Sequence, residues 1–230
     1  MSEKRLVIAI DGPAGSGKST IARRVADKLG FLYIDTGAMY RAVGLWALGT
    51  GVALDDSPRL EQLARAARIE LSSSPPRVVL NGEDITDAIR APEVSDAASR
   101  VSAAPGVRRA LVEKQRELGE RTSVVMEGRD IGTVVFPDAE IKIFLDADPA
   151  VRAERRLKEL REKGERPTAE EVAREMGQRD HRDRNRGDSP LRQAPDAILL
   201  DTSGMSLDEV ERTILKIVRD RTSNGKELSR

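Results

Sequence analysis

The sequence predicts an α/β fold with a parallel sheet, and three observations carry the prediction. Residues 6–29 join a β-rich apolar run, Leu6-Val7-Ile8-Ala9-Ile10, through a glycine loop to a segment with Ile21, Val25 and Leu29 spaced as on one helix face. Short apolar runs then alternate with helical segments along most of the chain, the pattern of βαβ units. Residues 69–85 break that alternation with closely spaced apolar runs and an Asn81-Gly82 turn, which predicts a small antiparallel meander inserted as a lobe.

Taken in order, Gly30 ends the first helix and residues 31–34 read as a short buried strand. Asp35 or Thr36 opens a helix to about Leu48, because both are N-cap types. Tyr40 and Arg41 then lie near its first turn, close to the carboxyl end of the strand, where open α/β sheets bind ligands. A solvated arginine beside a half-buried tyrosine is the plainer alternative there. A helix over 60–67 precedes the meander, whose runs are 69–71, 78–80 and Ile85.

A long helix is expected over 95–118, interrupted or offset by Pro105-Gly106, with Val107, Leu111 and Leu118 inward and Arg108 among its exposed charges. The strand 123–126 leads to the run Glu127–Thr133, and the strand 141–145 ends at Asp146-Ala147-Asp148-Pro149. The acidic pair could hold magnesium through water or cap the next helix; Pro149 in the first turn favours the cap. That helix, over 149–163, places Arg152 and Arg156 one turn apart. After a break at 164–168 a helix restarts over 169–176, and residues 179–186 hold four arginines interleaved with acids. A last strand at 197–200 and a helix at 206–218 with a Ser206/Glu209 capping box complete the fold, and residues 222–230 read as a frayed tail.

The 230 residues suffice for one core and one domain without staples. Cysteine is absent and His181 is the single histidine, which excludes disulfide frameworks and Cys- or His-rich metal sites. Lys+Arg and Asp+Glu balance at 39 each, so no global field draws the chain to nucleic acid or an anionic membrane. No apolar run approaches the roughly 20 residues of a membrane span, and the first strand follows the N-terminus without a signal-type segment. A cytoplasmic protein is the expectation.

The glycine loop, Gly12-Pro13-Ala14-Gly15-Ser16-Gly17-Lys18-Ser19, followed by Thr20, matches G-x-x-x-x-G-K-[ST] between a strand and a helix. Glycines let backbone N–H groups wrap an anion, the helix N-terminus adds partial positive charge, and Lys18 can reach β- and γ-phosphates. Ser19 or Thr20 offers a hydroxyl toward Mg²⁺. Arginines at 41, 129, 152, 156, 179 and 186 exceed the one extra cation a GTPase needs, which suggests two anionic substrates. No Asn/Thr-Lys-x-Asp run is present to select guanine. A nucleic-acid-binding switch is disfavoured by the charge balance, the interleaved aspartates and only 3% aromatic residues.

Asp11–Thr20, Asp-Thr-Gly-Ala-Met-Tyr-Arg from Asp35, Gly-Glu-Asp-Ile from Gly82, Gly-Arg-Asp-Ile-Gly-Thr-Val-Val-Phe-Pro-Asp-Ala from Gly128, Ile-Lys-Ile-Phe-Leu-Asp-Ala from Ile141 and Arg-Asp-x-Arg-Asp-Arg-Asn-Arg from Arg179 together resemble the bacterial cytidylate kinases, from about Val7 to Val218. The resemblance implies a P-loop NTPase-type three-layer fold around a five-stranded parallel sheet. It implies a CORE at about 1–35, 100–154 and 189–222, an NMP-binding lobe at about 36–99, a helical LID at about 155–188 and a tail at 223–230. It further implies transfer of the ATP γ-phosphate to CMP or dCMP by a monomer, with Mg²⁺ as cofactor and neither nucleic acid nor membrane as partner. By the same resemblance, Gly12 to Thr20 bind ATP, and Arg41 and Arg129 hold the CMP phosphate. Tyr40 packs beside the nucleotide. Ser99, Arg108, Asp130 and Arg186 read cytosine, Arg179 and Asp183 contact the ribose, and Thr36 lines the pocket. Lys18, Arg129, Arg152 and Arg156 serve the transfer. Several family members carry Gly-Lys-Gly-Thr where this chain has Gly-Lys-Ser-Thr, which leaves Ser19, Thr20 or water alone to meet Mg²⁺. A related small kinase acting on UMP or a non-nucleotide alcohol is the alternative.

Overall fold

The computed structural model describes residues 5–73 and 75–227. Ser74, and the last three residues of the expected tail, lie outside the described residues. Strand β1 (Val7–Asp11) is the middle of a five-stranded sheet that also contains β2 (Leu32–Asp35), β6 (Val124–Gly128), β7 (Ile141–Asp146) and β8 (Ile198–Asp201). Their order is β2-β6-β1-β7-β8 and every pairing is parallel. A parallel sheet must be covered on both faces, and the alternation along β1 shows how. Ile8 and Ile10 face α1 (Lys18–Leu29) and α8 (Leu207–Glu227), packing with Ile21, Val25, Val210 and Ile214. Ala9 faces the opposite layer, with Val112 of α5 (Pro105–Arg121), Met126 and Ile131.

Between β2 and β6 the chain leaves the sheet. Helix α2 (Thr36–Gly49) is capped by Asp35, whose carboxylate accepts from the Ala38 N–H at 2.9 Å. Helix α3 (Ser57–Ala66) starts three residues before the expected position, because Asp56 caps it and Pro58 suits its first turn. The meander is a three-stranded antiparallel sheet of β3 (Ile69–Ser73), β4 (Pro76–Leu80) and β5 (Glu83–Asp84). Asn81 (φ 53°) and Gly82 (φ 90°) are both left-handed, the geometry of the twist-matched two-residue hairpin turn. Ile85 follows the last strand, and with Val78, Leu80 and Ile89 it closes the lobe onto Ala38 and Ala42 of α2.

The helix expected over 95–118 is interrupted ahead of Pro105, as expected, into α4 (Pro92–Val101) and α5, because Pro105 lacks an N–H and disfavours helix in the residue before it. Three expectations need correction. Arg108, expected among exposed charges, is 2% exposed and turns into the protein. After α6 (Pro149–Glu162), the restarted helix does not stop at Met176: α7 (Ala169–Asn185) carries the arginine run on one continuous helix opened by a Thr168/Glu171 capping box. Helix α8 continues past Val218 to Glu227, since no proline intervenes to stop it. Two short turns were not anticipated, a 3-10 turn at Ala88–Arg90 and a π-helical turn at Ile131–Val135 after β6.

Candidate active site

Carboxyl ends of the parallel strands meet at one edge of the sheet, where β1 delivers the glycine loop, β6 delivers Glu127 to Asp130 and β2 delivers Asp35. This edge, at the reversal of strand order around β1, is where open α/β sheets bind ligands. Gly17 (φ 87°) caps α1 in the left-handed region and turns the loop into the helix. Gly15 (φ 73°) is doubly required, since a Cβ there would stand 2.8 Å from Met176 Cε and 2.9 Å from the Arg152 carbonyl oxygen. Lys18 is buried; its Nζ donates to the Pro13 carbonyl at 3.2 Å and lies 3.9 Å from Glu127 Oε2. Burial first, then the charge of Arg129, push the Lys18 ammonium down to about 7, partly opposed by Glu127. An anion in the loop would supply the missing counter-charge. The Ser16 hydroxyl, also buried here, has no hydrogen-bond partner among the described residues.

Beside the loop lies a cavity of about 820 Å³, lined among others by Lys18, Ser19, Arg41, Arg129, Arg156 and Arg179. Five of those six are cations. Arg41 donates to Asp35 at 2.7 Å, which holds it in the cavity lining. Burial, then neighbouring Arg129, lower the Arg179 guanidinium to about 10. A second hollow of about 600 Å³, between α4 and α7, is lined by Ser99, Asp183 and Arg186 among others. Arg129 Nε donates to Asp183 Oδ2 at 2.8 Å and so stands between the two hollows. Burial works to raise the Asp183 carboxyl, but Arg129 and Arg179 outweigh it and hold the group below the usual carboxylate range.

Behind that pair is a polar cluster with little solvent access. Arg108 and Asp130 form a buried ion pair, and Arg186 Nη2 lies 3.9 Å from the other Asp130 oxygen. The Arg108 guanidinium also sits 5.7 Å over the Tyr40 ring, whose hydroxyl burial pushes up to about 12. Arg108 Nε, Arg186 Nη2 and Ser99 Oγ are buried without partners among the described residues. The unmet Arg108 and Arg186 nitrogens beside one carboxylate are the mark of a site awaiting a polar ligand. Thr36 is buried and donates to the Glu127 carbonyl at 2.6 Å.

The sequence profile of the cytidylate kinases matches residues 8–220. The chain belongs to the cytidylate kinase family. It is 62% identical to the cytidylate kinase of Solibacter usitatus over 99% of this chain and 98% of that protein. It is 50% identical to the cytidylate kinase of Desulfitobacterium hafniense over 97% of each. Among solved structures, a gluconokinase from Sinorhizobium meliloti superposes with a TM-score of 0.52 at 15% identity, covering 99% of this chain and 100% of that one, a likeness of fold.

In this family member the structure places most of the residues singled out from sequence around the two hollows, but not all of them. Gly12, Pro13, Thr36, Tyr40, Arg108, Asp130 and Arg152 line neither. The Arg152 guanidinium is 3% exposed and fully engaged, by Asp180 at 2.6 Å and by the carbonyls of Ala14 and Ala147 at 3.0 Å each. It ties α6 and α7 to the back of the glycine loop, while Arg156, paired only with Glu159 at 2.9 Å, reaches the cavity. Asp148 caps α6 by accepting from the Ala150 N–H at 2.8 Å, and Asp146 accepts from the Ala147 N–H at 2.8 Å.

The acid that does face the loop is Glu127, which sequence reasoning passed over. It is buried at the end of β6, accepts from the Tyr33 hydroxyl at 2.7 Å and neighbours Lys18. Burial and then Asp35 raise its carboxyl, against the pull of Lys18, Ser19 and Tyr33. An acidic residue closing the apolar run Val124-Val125-Met126 was the available signal; only the sheet order shows that this strand lies next to β1. No group of three His, Cys, Asp or Glu side chains suited to a metal occurs among the described residues. None of their helices is long and apolar enough to cross a membrane.

Proposed function

We propose that this chain transfers the γ-phosphate of ATP to CMP or dCMP, giving ADP and CDP or dCDP, as a cytoplasmic monomer of pyrimidine nucleotide metabolism. The observation that carries the acceptor assignment is the buried Arg108–Asp130 pair with unmet donors beside it, set behind a cation-lined cavity that opens on the phosphate loop. Cytosine presents an exocyclic amine where uracil presents an oxygen. The Asp130 carboxylate accepts from the amine and repels the oxygen. A buried polar group left without its partner makes such a preference strong.

The remaining roles belong to the same proposal and are those that the family resemblance implies. Glycine-loop amides and Lys18 hold the ATP phosphates, and Arg41 and Arg129 hold the phosphate of the acceptor. Arg179 and Asp183 receive the ribose hydroxyls, so the Arg129–Asp183 bond must be exchanged as the acceptor enters. Arg156 reaches the transferring group, and Arg152 keeps the loop in place from behind. The phosphate oxygen of CMP is already nucleophilic at neutral pH, so no protein base is required. Residues 36–99 and 155–188 act as the acceptor lobe and the LID that exclude water from the reaction.

Magnesium fits the donors present. The Ser19 hydroxyl and the Glu127 carboxylate are hard oxygens beside the loop, too few for a cage, which suits an ion that keeps several waters and leans on substrate phosphates. Held there by Ser19 and Glu127, it would supply positive charge that offsets the charge developing on the phosphates. The balanced charge of the chain gives nucleic acid no role as partner. The test is ADP release from ATP and Mg²⁺ with CMP, dCMP, UMP or AMP, for the unaltered chain and Asp130→Ala. The expected result is a cytosine preference that Asp130→Ala loses. Equal stimulation by UMP in the unaltered chain, or none by any monophosphate, defeats the assignment.

A further inference from the structure

Asp11 ends β1 and immediately precedes the glycine loop, yet its carboxylate points away from the loop. Oδ1 accepts from the Ile131 N–H and Oδ2 from the Gly132 N–H, each at 2.8 Å. These are the two amides that follow Asp130 in the chain. On the other side of the same turn, the Asp130 carbonyl accepts from the N–H groups of Val134 at 2.8 Å and Val135 at 3.2 Å. The backbone of Asp130 is therefore gripped from two directions, and from it the side chain points toward Arg108 and Arg186. There is no slack elsewhere, since a Cβ on Gly128 would stand 2.8 Å from Thr36 Oγ1 and one on Gly132 3.2 Å from Lys142 Cδ.

The clamp is built from an expensive group. Asp11 is 5% exposed and, among the described residues, no cation hydrogen-bonds to it. The charged neighbours around it are Asp130, Arg129 and, across Gly132, Lys142, whose ammonium is engaged by Asp196 at 2.8 Å. A buried carboxylate with only amide partners is a poor source of stability and a good source of geometric definition.

We propose that Asp11 is a positioning residue for acceptor selectivity: by clamping the Ile131 and Gly132 amides it holds Asp130 where cytosine is told from uracil. The inference rests on the reading of Asp130 as the base reader, and it gives the first residue of the phosphate-loop segment a second task on the acceptor side. Burial pushes the Asp11 carboxyl up to about 7, against the pull of the two amides, so the clamp loosens in an accessible pH range as one oxygen gains a proton.

The experiment compares kcat/KM for CMP and for UMP in the unaltered enzyme and in Asp11→Asn, from pH 6 to 8. The asparagine retains one acceptor and aims an N–H₂ at the second amide, so the CMP:UMP ratio is expected to fall by about tenfold with KM for ATP within about twofold. In the unaltered enzyme the ratio is expected to fall from pH 8 to 6, and in Asp11→Asn to be low and flat. The ratio cancels the titration of the acceptor phosphates and of Lys18, which both reactions share. A purely structural Asp11 would lower both rates equally and leave the ratio unchanged, which overturns the inference. If Asp11→Asn does not fold, a pH-independent ratio in the unaltered enzyme overturns it instead. No cytosine preference in the unaltered enzyme at any pH overturns the base-reader assignment itself, and the inference with it.

Discussion

Arg129 and Asp183, 54 residues apart in the chain, meet at 2.8 Å and join the end of β6 to α7. Each side of the bond faces a different hollow, so any acceptor that spans the two must replace it. Asp183→Asn is expected to raise KM for CMP by about tenfold or more, because the ribose loses a charge-assisted partner, while KM for ATP stays within about twofold. Arg129→Lys is expected to lower kcat/KM by about 10²–10³, since an ammonium cannot reproduce the planar fork on a phosphate. Steady-state kinetics with each substrate varied separately checks both. Equal effects on the two KM values for Asp183→Asn would place the bond outside the acceptor path.

Arg152 and Arg156 share a face of α6 but are expected to respond oppositely to removal. Arg152→Ala strands the half-buried Asp180 and two carbonyls, and should cost about 2–4 kcal/mol in urea unfolding. Arg156 is paired with Glu159 at the surface, at side-chain exposures of 30% and 49%, so Arg156→Ala should change stability by less than about 1 kcal/mol. Its loss should appear in kcat instead. A large kcat effect with no stability change for Arg152→Ala would reverse the assignment.

The raised carboxyl of Asp11 has a consequence for stability as well as for selectivity. Its folded value, about 7, lies above the ordinary 3.8, so the folded state favours the neutral form. The stability this contributes is full below about 3.8 and lost as pH rises through about 7. The difference in unfolding free energy between the unaltered chain and Asp11→Asn is therefore expected to move against the unaltered chain from pH 5 to pH 8. Urea midpoints at pH 5, 6, 7 and 8 measure it, and a difference that does not vary with pH contradicts the raised value.

Much of the fold was legible because its signals are local. The Ile21-Val25-Leu29 spacing, the Asn81-Gly82 turn, the Ser206/Glu209 box and Pro149 after Asp148 each act within a few residues, and each appears in the structure as a helix, hairpin or cap. The misreadings were of two kinds. Helix ends at Asn185 and Glu227 depend on tertiary packing that carries each helix past its local stop signals. The orientation of Arg108 could not be read from a helix whose charges surround it; only the pocket formed with Tyr40, Asp130 and Arg186 shows which way it turns.

By itself, then, the sequence determined the phosphate loop, the alternation that makes a parallel sheet, the inserted antiparallel lobe and the supply of arginines. The tertiary structure decided their partners. The order β2-β6-β1-β7-β8 sets Glu127 beside Lys18 and Asp11 beneath Ile131 and Gly132, and the course of α7 gives Asp180 to Arg152 and Asp183 to Arg129. Backbone periodicity follows from neighbours in the chain, whereas the pairing of a buried charge follows from which distant strand or helix the packing brings to it.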